Sequence, residues 1–108
     1  MTGVSTHVLD TALGQPAADV PVRLQTPDGV VIGSGKTNAD GRCAELSNGT
    51  LDAGTYQIFF DTAAYFAASG QEGFYPEVVV TFTLADPQQH HHVPLLLAPF
   101  AYSTYRGS

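Results

Sequence analysis

The strongest constraint on this chain is the rhythm of its turn signals. "LGQPAAD", "TPDG", "NADGR", "SNGTLDAGT" and "ADPQQ" punctuate the sequence roughly every ten residues, a spacing that suits short strands in a sandwich or barrel. Between them lie β-rich runs at 5–11, 20–25, 30–37, 55–62, 76–84 and 90–98. In "VPVRLQ", Val20, Val22 and Leu24 share one face and Arg23 takes the other, the period of a strand with one wet side. Short loops predict antiparallel connections. One stretch departs from the pattern. "DTAAYFAASGQEG" is alanine-rich, opens on Asp61 and Thr62 as N-cap candidates and closes at Gly70, which predicts a single helix near 62–70. The expected architecture is an all-β fold with one short helix, in a single domain over residues 1–108.

Charge and composition narrow the function classes. A formal net charge of -6 with only Arg23, Lys36, Arg42 and Arg106 as Lys or Arg argues against a nucleic-acid partner, which requires clustered cations. No apolar run approaches the ~20 residues that span a bilayer, and "MTGVSTHVLD" does not have the pattern of a secretory signal. The lone Cys43 rules out an internal disulfide framework and fits a reducing compartment, so the expected location is cytoplasmic. The run "VPLLLAPF" is apolar on both strand faces. One face fills a core, and the other calls for a cover, most economically a second subunit.

The candidates for chemistry are few. In "HHH" at 90–92, strand alternation puts His90 and His92 on one face and His91 on the other. Three consecutive strand histidines therefore do not share one ion, and no Cys, Asp or Glu stands at a familiar ligand spacing, so no metal site is expected. His7 lies in "STHVLD", and Arg42 follows the turn "NADG". Taken singly, each is more ordinary than functional. Together, a histidine pair and an arginine suit a planar anionic heterocycle: imidazole moves protons near neutral pH, and guanidinium offers a charged fork. Cys43, on the opposite side from Arg42 in an extended chain, reads as a packed thiol.

Four stretches, "STHVLDTALGQPAADVPVRL" at 5–24, "TNADGRC" at 37–43, "FYPEVVVTFT" at 74–83 and "HHHVPLLLAPFAYSTYRGS" at 90–108, closely resemble the 5-hydroxyisourate hydrolase (transthyretin-related) family. The similarity runs from residue 5 to 108, and the closing "YRGS" is its most specific signature. The resemblance implies a transthyretin-like sandwich of two four-stranded sheets with one helix. It further implies a homotetramer, a dimer of dimers, with active sites where the dimers meet. The implied activity is hydrolysis of 5-hydroxyisourate, a small-molecule substrate from urate oxidation, without metal or organic cofactor. By position, the implied catalytic residues are His7, Arg42 and His92, and the implied substrate-binding residues are Tyr105, Arg106, Gly107 and Ser108. The family's "H-Y-H-V-P" element has His91 for its tyrosine here, a change expected to affect packing more than chemistry.

Three other functions compete. A transthyretin-type binding protein would share the fold and lack catalysis. A zinc hydrolase would gather His7, His90 and His92. A structural β-module would be indifferent to loss of its last four residues.

Overall fold

The computed structural model describes residues 3–47 and 50–108. Asn48 and Gly49, in the turn signal "SNGTLDAGT", lie outside the described residues, as do Met1 and Thr2, the first two residues of "MTGVSTHVLD". Among the described residues, nine strands and one helix follow in chain order: β1 (Val4–Asp10), β2 (Gln15–Pro16), β3 (Pro21–Gln25), β4 (Val31–Lys36), β5 (Arg42–Cys43), β6 (Gly54–Phe60), α1 (Thr62–Ala68), β7 (Val78–Leu84), β8 (His91–Ala98) and β9 (Ala101–Thr104). One sheet runs β4-β3-β6-β7, and the other runs β2-β1-β8-β9 with β5 also on β1. β2 pairs with Leu9 and Asp10 while β5 pairs with Thr6 and His7, both antiparallel. The two short strands thus divide the length of β1 between them. The second sheet therefore has five strands, although it is four wide along its length.

The expectation of antiparallel connections fails at the centre of that sheet. β1 and β8 run parallel in register from Val4 opposite His91 to Asp10 opposite Leu97. Short loops cannot make a parallel pair; here the whole intervening chain, including the other sheet, is the crossover. The remaining pairs are antiparallel.

Alternation sorts the side chains of β1. Val4, Thr6, Val8 and Asp10 are buried inward, while His7 and Leu9 are half-buried on the other face. Inward Val4 and Val8 join Val22, Leu24, Ile58, Phe60, Val78, Leu84, Leu95 and Leu97 in a core between the sheets. Each fully buried Leu, Ile or Phe contributes ~1.5–3 kcal/mol relative to exposure.

The helix begins where the sequence predicts. Asp61 is its N-cap, and the side chain accepts from the Ala64 N–H at 3.1 Å. It closes with Ser69 as the C-cap residue, and Gly70 lies one position beyond at φ 70°, a left-handed conformation that glycine adopts without strain. Tyr65 of α1 donates to Asp10 Oδ2 at 2.5 Å, and Gln71 Nε2 donates to the same oxygen at 3.0 Å. Burial by itself would raise the Asp10 pKa, but bonds from Tyr65, the Leu13 N–H, Gln71 and the Ala12 N–H outweigh it and hold the carboxyl below its usual range. This buried polar knot ties helix to sheet.

Candidate active site

The outward face of the β1–β8 sheet carries the candidate residues. On β1, Ser5 and His7 are two residues apart and share that face. Arg42 is delivered opposite His7 in the antiparallel register of β1 and β5. Its approach is fixed by the preceding turn: Asn38 Oδ1 accepts from the N–H groups of Asp40 at 2.9 Å and Arg42 at 3.0 Å. Gly41 has φ 76°, and a Cβ there would lie 2.3 Å from the Val8 carbonyl oxygen. Only glycine lets the turn press this closely on β1. Val8 returns an N–H to the Gly41 carbonyl at 2.7 Å.

On the other side of β1, Ser5 stands opposite His92 in the parallel register. Ser5 Oγ lies 2.7 Å from His90 Nε2 and 2.7 Å from His92 Nδ1. The two histidines therefore share a face, as alternation predicts, and meet on one hydroxyl. His91 is buried on the opposite face, where its Nδ1–H donates to the Gln89 carbonyl at 3.1 Å. Its place in the family's tyrosine position is thus an interior one.

The chain after β9 stays on the edge of β8. The Gly107 N–H donates to the His92 carbonyl at 2.8 Å, and Gly107 faces His92 in an antiparallel bridge, continuing the register in which Thr104 faces Leu95. Gly107 also lies against the imidazole itself, since a Cβ there would be 2.4 Å from His92 Cδ2.

These segments enclose a cleft of about 490 Å³. Ser5, His7, Arg42, His90, His92, Tyr105, Gly107 and Ser108 line it. Of the residues named from sequence, His7, Arg42, His92, Tyr105, Gly107 and Ser108 come together there. Arg106 does not: its Nη2 donates to Gln89 Oε1 at 3.1 Å, and it lines the adjoining depression with Gln88 and Gln89. Alternation along the strand-like tail turns it away from its neighbours. Sequence reasoning missed Ser5 and left His90 without a role. The parity of Ser5 with His7 was a usable signal, whereas its pairing with His92 depends on the parallel register.

Tautomers and charge follow from the contacts. His7 Nε2 lies 2.9 Å from the Asp40 carbonyl. A carbonyl only accepts, so Nε2 carries the proton and Nδ1 holds the lone pair of the neutral ring. Burial lowers the His92 pKa, and electrostatic interaction with Arg42, His7 and His90 lowers it further. His92 is thus neutral near pH 7, and with Nδ1 engaged by Ser5 its Nε2 is the nitrogen left for a ligand. Burial raises the Cys43 thiol pKa, and its sulfur would be 3.3 Å from a Cβ at Gly35, across from β4. That is the packed thiol expected. Among the described residues, no group of three or more His, Cys, Asp and Glu side chains is placed to hold a metal ion.

Two packed sheets with one short helix, and a polar cleft on the outer face of one sheet, define a transthyretin-like protein with a histidine–arginine site. The family is narrower than that. The chain belongs to the HIUase/Transthyretin family, whose model matches residues 4–107. It is 46% identical over 111 residues to a 5-hydroxyisourate hydrolase of Mus musculus, covering 97% of this chain and 94% of that protein. The solved structure of Klebsiella pneumoniae 5-hydroxyisourate hydrolase superposes with a TM-score of 0.91 at 40% identity, covering 100% of both chains. Transthyretin from Sparus aurata superposes with a TM-score of 0.89 at 31% identity, covering 99% of this chain and 97% of that one.

Proposed function

We propose that this chain is a hydrolase of urate degradation that opens 5-hydroxyisourate to 2-oxo-4-hydroxy-4-carboxy-5-ureidoimidazoline. One observation carries the proposal: a histidine pair, a guanidinium and the chain's closing residues line one cleft in a chain that shares 46% of its sequence with a named 5-hydroxyisourate hydrolase.

The substrate binds with its anionic edge toward Arg42. His92 Nε2 accepts a proton from water as its oxygen attacks a ring carbonyl. Arg42 offsets the negative charge that grows on the carbonyl oxygen. The C–N bond of the ring amide then breaks, and a histidine returns the proton to the departing nitrogen. His7, with Nε2 held by Asp40, binds the water or the substrate through Nδ1. Tyr105, Gly107 and Ser108 wall the cleft, and Arg106 acts from outside it by holding Gln89. General acid–base catalysis of this kind supplies ~10²–10⁴-fold. No metal or organic cofactor is called for.

The protein acts as one transthyretin-like domain over residues 1–108, in a cytoplasmic homotetramer built as a dimer of dimers, with the clefts at the dimer–dimer contact. Exposed aromatic surface supports an oligomer: Phe100 is 72% and Phe74 68% exposed, and Phe74, Tyr75 and Tyr102 form a chain of edge contacts. Size-exclusion chromatography with light scattering is expected to give four copies; a stable monomer would remove the tetramer. Among the described residues, no helix is long and apolar enough to cross a membrane.

The test of the activity is ultraviolet decay of 5-hydroxyisourate freshly made by urate oxidase, with and without chelator. Accelerated decay that ignores the chelator is expected. Saturable binding of the substrate without acceleration would instead favour a carrier, the reading suggested by the superposition on Sparus aurata transthyretin.

A further inference from the structure

The three-centre contact of His90, Ser5 and His92 is not used by the reaction just described. A serine hydroxyl has one proton and two lone pairs, so Ser5 cannot donate to both imidazoles. It donates to one and accepts from the other. If Ser5 donates to His92 Nδ1, the neutral His92 carries its proton on Nε2 and is an acid toward the cleft. If Ser5 accepts from His92 Nδ1–H, Nε2 presents a lone pair and is a base; Ser5 then donates to His90 Nε2. The hydroxyl therefore couples the tautomer of His92 to that of His90.

We infer that Ser5 and His90 are positioning residues that pass the proton of His92 away from the cleft and back during each turnover, which rests on the hydrolase reading above. Before reaction, His92 holds its proton on Nδ1 and donates to Ser5, and Ser5 donates to His90 Nε2. As the water oxygen bonds to the ring carbonyl, its proton moves to His92 Nε2. The Nδ1 proton moves to Ser5 Oγ, and the Ser5 proton moves to His90 Nε2. His92 is left neutral with its proton facing the cleft, and the positive charge rests on His90. When the C–N bond breaks, His92 Nε2–H protonates the departing nitrogen and the two internal protons return along the same path. No proton is gained or lost over the cycle.

The electrostatic reason for such a path is the company His92 keeps. Arg42 on β5 and His7 on β1 line the same cleft, as do His90, just ahead of β8, and Tyr105 of the tail. An imidazolium at His92 would sit against the Arg42 cation. Moving the charge through Ser5 places it two residues back along the chain, on half-buried His90, which also lines the depression beside Gln88 and Gln89. The geometry is already set, since both contacts are 2.7 Å, within ordinary hydrogen-bond distance. Ser5 itself is 8% exposed, which keeps solvent from competing for its hydroxyl.

The test uses ¹⁵N-labelled full-length protein and two variants of the path. Two-bond ¹H–¹⁵N spectra report the His92 tautomer and its titration without any substrate, so they test the path even if turnover fails. Wild type is expected to show the Nδ1–H form of His92, and Ser5→Ala a mixture of both forms. Ser5→Ala is expected to lower kcat about 10–100-fold, part of the ~10²–10⁴ that acid–base catalysis supplies, with KM nearly unchanged. Ser5→Thr keeps the hydroxyl on a strand residue and is expected to restore most of the rate. His90→Gln can bond Ser5 but cannot take up a proton; it is expected to lower kcat about tenfold while His92 keeps its tautomer. An unchanged tautomer and kcat–pH profile in folded Ser5→Ala would overturn the inference while leaving the hydrolase intact. Wild type that folds but does not turn over would overturn the hydrolase reading instead.

Discussion

Gly107→Ala isolates the contact between the tail and the His92 imidazole. Gly107 does not occupy a positive φ, so alanine brings no backbone strain, and the only new feature is a methyl group. That methyl would lie 2.4 Å from His92 Cδ2, 3.1 Å from Cγ and 3.3 Å from Cβ, where ordinary contact begins at 3.4 Å. The ring or the tail must therefore move by about 1 Å, and a displacement of that size at a reacting group costs about 10²-fold in rate. At ~1.4 kcal/mol per tenfold, this is about 2.7 kcal/mol of transition-state stabilisation. If the tail moves instead, the Gly107 N–H loses the His92 carbonyl and the cleft loses a wall. Both routes lower kcat/KM, and neither touches the core, so Tm is expected to stay within a few degrees. The assay is initial-rate decay of 5-hydroxyisourate alongside thermal unfolding. Gly54→Ala is the control, because a Cβ there meets nothing within 4 Å. Wild-type turnover in Gly107→Ala would refute the claim that the tail fixes the position of His92.

Other outcomes follow from the same geometry. His92→Asn removes the proposed base and is expected to lower kcat about 10²–10⁴-fold across the pH range, measured in the same decay assay. Deleting Tyr105–Ser108 should leave circular dichroism native and the rate near background; near-normal turnover would show that the wall is dispensable. The His92 pKa lies below that of free histidine, so activity should hold down to that lowered value and fall as pH drops through it. Arg42→Met removes a cation that lowers this pKa and should move the acid limb of kcat upward in pH. Tyr65→Phe takes a donor from Asp10 and should destabilise the fold by about 1–3 kcal/mol in denaturant melts. The stability contributed by the depressed Asp10 pKa is present above the unfolded-state pKa and lost as pH falls through the folded one. The variant's deficit should therefore be largest near neutrality and shrink in acid.

What local pattern controls was legible in the sequence. Period-2 alternation set the faces of β3 and of His90–His92, and capping chemistry located α1 within two residues of its C-terminal end. The turn "NADG" marked the approach to Arg42. The parallel pairing of β1 and β8 was not legible, because strand partners far apart in sequence are chosen by core packing rather than by any local signal. β2 and β5, each two residues long, are too short to show a period, and "AYST" of β9 is exposed throughout and so lacks an apolar stripe. The site divides the same way. The resemblance marked His7, Arg42, His92 and the tail, but Ser5 gained its place from a register that only the folded sheet reveals. Arg106, marked by the same motif, faces Gln89 instead of the cleft.

The parallel pairing also bears on how the protein is made. Thr6 meets Val93, which follows it by 87 residues; at ~5–20 residues per second a ribosome needs about 4–17 s to deliver the second after the first. Throughout that interval β1 has apolar side chains and an unclaimed edge, a condition that exposes a nascent polypeptide to aggregation. Chaperone dependence during synthesis, and slow refolding from denaturant in its absence, are the natural costs of pairing two strands so far apart in the chain.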